Sequence, residues 1–69
     1  MFIIAEYGSI NHFGTDYFIG KMYTVRGEKY PCTAYSKDKA KVYMSKARAE
    51  RACDKLNSNT GRNFTVIDA

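Results

Sequence analysis

The sequence predicts an α+β domain: a four- to five-stranded, mainly antiparallel sheet with one helix packed on one face, in the order β-β-β-β-α-β. Three observations lead there. Short β-branched and aromatic runs, separated by Gly, Pro, Asn and Ser, fill most of the chain. Only one segment, near residues 46–57, places its apolar residues at helical spacing. The length, 69 residues, gives a single domain, 1–69, with one thin core. Such a chain buries roughly 60% of its unfolded surface, for a stability on the order of 5 kcal/mol. One helix covers only one face of a sheet, so the other face needs its own account.

Residues 2–7 are nearly all apolar and read as a central or well-covered strand. Gly8 to Asp16 (GSINHFGTD) is rich in turn formers and reads as a long hairpin loop. Tyr17 to Arg26 (YFIGKMYTVR) is a second strand, with Gly27-Glu28-Lys29 as its exit turn. Tyr30 to Tyr35 (YPCTAY) is a short third strand. Pro31 has no N–H to donate, which places that strand at an edge or leaves its first residues unpaired. Ser36 to Lys39 is a polar turn.

From Lys39 to Met44 the pattern alternates. Ala40, Val42 and Met44 point one way, Lys41 and Tyr43 the other, as in a half-buried strand. Ser45 stands where a helix N-cap belongs. Ala49, Ala52, Cys53 and Leu56 follow at i, i+3, i+4 and i+7, a narrow face of small residues that lets a helix lie close to a sheet. Asn57 to Gly61 stops the helix, and Asn63 to Asp68 is the last strand. A strand–helix–strand unit crosses over right-handed, which predicts that the last strand runs parallel to the one before the helix.

Hydrophobic residues make up 45% of the chain and charged residues 26%, which argues against disorder. No apolar run is long enough to cross a membrane, and the start lacks the basic residues and longer apolar stretch of a secretory signal. The expectation is a cytoplasmic protein without membrane contact. Cys32 and Cys53 form no CxxC and read as reduced thiols in the core. All eleven Lys and Arg lie between Lys21 and Arg62, against four acids in the same stretch, a local balance of +7. A basic block of this kind either meets anionic partners or serves as a solubilising surface.

The inventory for catalysis is thin. The one histidine, His12, has no nucleophile and no orienting group near it in sequence, and no metal-ligand spacing occurs. Ser9, Ser36, Ser45 and Ser58 sit at turn or cap positions. Gly8, Gly14 and Gly20 lack the spacing of a phosphate-binding loop. No carboxylate pair is placed for acid/base work. No enzyme, no cofactor and no metal is expected.

Two surfaces are candidates for binding. Arg48, Arg51 and Lys55, at i, i+3 and i+7, form a basic ridge on the helix beside an acidic edge of Glu50 and Asp54. The ridge either tracks anions or is a solvated face with weak ion pairs of about 0.3–0.5 kcal/mol each. The second candidate is the sheet face away from the helix. With Lys41, Lys21 and Glu6 taken as outward markers, that face holds Phe2, Ile4, Tyr17, Ile19, Tyr23, Val25, Tyr35 and Tyr43, while Thr33 faces out and Cys32 and Ala34 lie under the helix. Within it, Tyr17, Lys21, Tyr23, Tyr35, Lys41 and Tyr43 are the expected partner-binding set. Monomers seldom leave so continuous an apolar patch in water. Either it is an interface, or a bulge at Gly20 switches faces, or the Gly8–Asp16 loop folds over it.

The stretch PCTAYSKDKAKVYMSKARAERACDKLNSNTGRNFTVID, a little over half the chain, resembles the C-terminal half of small uncharacterised phage and prophage accessory proteins. The likeness lies in a threonine-bearing strand, a charged turn, a strand beginning Ala-Lys, a Ser-Lys helix start with spaced alanines, and a closing aromatic–Val strand. These are structural residues, so the resemblance speaks first to fold. It implies a mobile-element protein, from a group that includes some anti-CRISPR-type inhibitors of host defence. The expected function is a non-catalytic protein-binding module that occludes a surface of a host protein or nucleoprotein complex. The alternative is a single-stranded nucleic-acid binder that stacks bases on the tyrosines, although no RNP-type run is present. A homodimer through the open sheet face is a third use of the same residues.

Overall fold

The computed structural model describes residues 1–7 and 14–69. It has four strands, β1 (Phe2–Tyr7), β2 (Thr15–Val25), β3 (Glu28–Ala34) and β4 (Thr65–Asp68), one helix, α1 (Lys46–Thr60), and a 3₁₀ turn at Lys37–Lys39. The strands form one sheet in the order β3-β2-β1-β4, and every neighbouring pair is antiparallel. The α+β class and the single helix are as the sequence predicts. His12 and most of the expected Gly8–Asp16 loop lie outside the described residues.

The apolar run of β1 pairs on both sides, with β2 through Ala5–Tyr7 and with β4 through Phe2–Ala5. Ile3, Ile4 and Ala5 are fully buried. β3 is an edge strand, and Pro31 sits within it, where a missing N–H costs no ladder bond. The β2–β3 turn is Arg26–Gly27, both at positive φ (53° and 81°), between the paired residues Val25 and Glu28. That is the signature of a type I′ hairpin, whose twist matches the flanking strands.

The expected strand over Lys39–Met44 does not form, and the parallel pair expected across the helix goes with it. β4 lies beside β1, antiparallel to it. Residues 41–43 are instead an extended plug in the gap where β2 leaves β1. The Lys41 N–H donates to the Phe18 carbonyl at 3.0 Å, and Tyr43 and Phe2 exchange both backbone bonds at 2.7 and 2.9 Å. Ala40 is buried and Lys41 exposed, as expected, but from Val42 on the facing is reversed. Tyr43 packs against the core cluster, while Val42 and Met44 are 47% and 75% exposed. A tyrosine ring excludes more water than either aliphatic side chain, so it takes the inward position.

Cys53 and Leu56 of α1 meet Ile4, Phe18 and Phe64 in the core, with Ala52 packed beside them, and Ala49 is fully buried. Ser45 occupies the N-cap position, but its hydroxyl makes no capping bond. Gly61, at φ 69°, ends the helix in the left-handed conformation and donates its N–H to the Asn57 carbonyl at 2.8 Å.

Ile4 in that core puts β1 the other way round from the sequence expectation: Ile4 and Glu6 face the helix side, Ile3 and Ala5 the opposite side. Glu6 misleads as a marker because it is ion-paired. Arg62 Nε donates to Glu6 Oε1 at 3.0 Å, Arg62 Nη2 donates to the same oxygen and, at 3.3 Å, to Asp16 Oδ2. The Asn63 N–H donates to Glu6 Oε2 at 3.3 Å. The Arg62 guanidinium also lies over the Phe64 ring, 5.1 Å from its centroid. Its pKa is held above the ordinary value, chiefly by the hydrogen bond to Glu6. β3 is inverted as well: Thr33 stands opposite Phe18 on the helix side, and Ala34 opposite Tyr17 on the other.

Candidate docking groove

Beyond Phe18, β2 departs from β1 and continues with β3 as a two-stranded arm. Every residue from Lys21 to Tyr30 is exposed. The departure is made by a bulge. Phe18 pairs with Thr33 and Met22 with Pro31, so residues 19–21 stand against Cys32 alone. Two extra residues are an even number, and the bulge bends the strand without exchanging its faces. Gly20, at φ 89°, is its centre. Its positive φ favours glycine, and a Cβ there would crowd the Lys41 side chain of the plug, 3.2 Å from Lys41 Cβ and 2.6 Å from the mobile Cδ.

Since parity is kept, Phe18, Met22 and Thr24 share the helix side of β2. Together with α1 they enclose an open groove of about 300 Å³. Its floor is apolar: Phe18, Met22, Ala52 and Leu56. Its rim is polar: Thr24 and Lys29 from the arm, Lys55 and Asn59 from the helix. Among the described residues no acidic one lines it.

The basic ridge falls on this flank. Arg48, Ala52, Lys55 and Asn59 follow i, i+4, i+7 and i+11, one face of α1, with Arg51 next to it. Glu50 and Asp54 lie on the other flank, in a second depression beside β4 that carries both signs of charge, including Lys46 at 4.0 Å from Glu50. The helix is therefore basic toward the arm and mixed toward β4.

The six residues expected to share one partner-binding face are divided. Tyr17 and Tyr23 lie on the side away from the helix. Tyr17 is half-buried, and Tyr23 is 50% exposed. Lys21 is exposed within the bulge. Tyr35 is 74% exposed just past the end of β3. Tyr43 is half-buried on the helix side, and burial pushes its phenol pKa up. Lys41 keeps its ammonium 5.4 Å from the Tyr43 ring. Tyr23 instead stacks on its cross-strand neighbour Tyr30, centroids 5.5 Å apart at 25°, and Tyr30 donates its hydroxyl to Glu28 at 2.5 Å. Tyr30 was not among the expected residues, because its partner is set by hairpin register.

The sequence shows no carboxylate pair, yet the β1–β2 register brings Glu6 and Asp16 side by side. Arg62 bridges them, which makes the pair a structural tie between the sheet and the segment after α1. Among the described residues no cluster of His, Cys, Asp and Glu could hold a metal ion, and no helix is long and apolar enough to cross a membrane. No family model, curated protein or solved structure matches the chain.

Proposed function

We propose that the chain is a non-catalytic protein-binding module of phage or mobile-element type, which occludes a functional surface of a host defence protein or nucleoprotein complex in the host cytoplasm. The observation that carries the binding part is the groove between arm and helix, apolar in its floor and cationic at both walls. Interface cores have this character, an apolar centre that excludes water inside a polar rim. The resemblance of residues 31–68 to phage accessory proteins supports the origin. The thin catalytic inventory of the sequence supports the absence of chemistry.

The nucleic-acid alternative has less support. Stacking platforms interleave rings with cations on one face. Here Tyr23 and Tyr30 stack on each other on the side of the arm away from the groove, while Lys29 and Lys55 line the groove itself. The deciding experiment is capture of partners by the tagged chain from bacterial lysate, with and without nuclease. One protein retained after nuclease treatment, and lost with Met22→Asp, is the expected result. Recovery of nucleic acid alone would overturn the proposal.

A further inference from the structure

We infer that the groove takes an acidic protein segment that carries one apolar anchor side chain. This rests on the binding-module reading and goes beyond it by naming the chemistry of the partner. The floor made by Phe18, Met22, Ala52 and Leu56 offers only apolar surface, so what enters it must be apolar. At about 300 Å³ it is at the small end of ligand sites, the size for one or two side chains.

The walls set the charge of what flanks the anchor. Lys29 stands on the arm side and Lys55 on the helix side, with Arg48 one face-repeat along α1 from Lys55. Carboxylates on either side of the anchor meet a cation from each wall, whereas basic flanks meet like charge. The nearest acids of α1, Glu50 and Asp54, are on the opposite flank. The occupant is therefore a peptide segment of the pattern acid–apolar–acid.

The test uses fluorescence anisotropy at physiological salt on the whole chain. The probes are a short peptide with one phenylalanine flanked by glutamates, the same peptide with glutamines, and oligothymidylate. The glutamate peptide is expected to bind about tenfold more tightly than the glutamine one, and Lys29→Glu or Lys55→Glu to weaken it by about tenfold. Both lysines are exposed, so neither variant threatens the fold. Glu50→Gln, on the far flank, should leave affinity within about twofold. No binding of the glutamate peptide, equal affinity for both peptides, indifference to the two lysine variants, or displacement by oligothymidylate would each overturn the inference. A host protein captured equally by wild type and by the Lys29→Glu/Lys55→Glu variant removes the groove as its site and leaves the binding module standing. Absence of any captured protein removes the broader reading as well.

Discussion

At two residues, Cys53 and Tyr43, burial ties the stability of the fold to alkaline pH. The Cys53 thiol donates to the Phe64 carbonyl at 3.1 Å, and burial, with a smaller effect of Asp54, pushes its pKa up. Burial does the same to the Tyr43 phenol. Both groups are neutral when protonated, so a raised folded value means that the native state holds the proton more tightly than the unfolded chain does. Their contribution is intact below the free values, about 8.5 for a thiol and 10 for a phenol, and is lost as pH rises through the folded values. Thermal melts from neutral to strongly alkaline pH should be level at first and then fall. Cys53→Ala should flatten the earlier part of the fall and Tyr43→Phe the later part. A melting temperature with the same pH profile in both variants would contradict this. At this scale the sequence was legible where burial follows helical spacing, as at Ala49, Cys53 and Leu56. It was not legible at Glu6, whose partner Arg62 is 56 residues away. A lone glutamate in an apolar strand marks the outside unless a distant cation claims it, and no local pattern announces that cation.

Among the elements, the helix joins the sheet through a polar clamp as well as through apolar packing. Asn57 Nδ2 donates to the Phe64 carbonyl at 3.0 Å, and the Phe64 N–H donates to Asn57 Oδ1 at 2.7 Å. One side-chain amide thus stands in for a strand partner just before β4. Asn57→Leu should cost about 1–3 kcal/mol by leaving the Phe64 N–H without that bond, read as a lower urea midpoint at unchanged m-value. Asn57→Asp, which keeps the acceptor and loses the donor, should fall between. A loss under about 0.5 kcal/mol for Asn57→Leu would mean that water replaces the clamp freely. The sequence marks Asn57 only as the start of a helix stop. The helix in fact runs to Thr60, whose hydroxyl donates to the Leu56 carbonyl at 2.7 Å. The same limit explains the Lys39–Met44 segment. Its alternation is real, but a strand also needs an open edge to pair with. Among the described residues, the gap left by the bulge in β2 gives this segment backbone bonds at Phe18 and Phe2.

Over the whole molecule, the buried core and the exposed hairpin arm are different parts. The chain is as compact as its length requires, with a Cα radius of gyration of 11.3 Å against the roughly 11 Å expected for this length. Its extents are nonetheless uneven, 34 × 25 × 17 Å. The body holds β1, paired on both sides, with α1 packed over Ile4. The arm holds the pairs from Met22–Pro31 to Val25–Glu28, joined by their own ladder and the Tyr23–Tyr30 stack, with Pro31 the one buried residue among them. Segments with little buried apolar surface open locally, well below the free energy of global unfolding. Native-state hydrogen exchange should therefore separate two groups of amides. Those of Ile3, Ile4 and Ala5 and the interior of α1 should exchange only through global unfolding. Those between Lys21 and Tyr30 should exchange faster by about two orders of magnitude or more, as for an opening at least 2.7 kcal/mol less costly. Tyr23→Ala should speed the arm further while leaving the slowest amides unchanged. If the arm amides were as slow as Ile4, the two parts would unfold as one unit, and the wall of the groove formed by Met22, Thr24 and Lys29 would be rigid. If they are fast, that wall adapts to its occupant, and a partner peptide should slow the arm amides selectively. The protected set would then mark the arm wall of the groove.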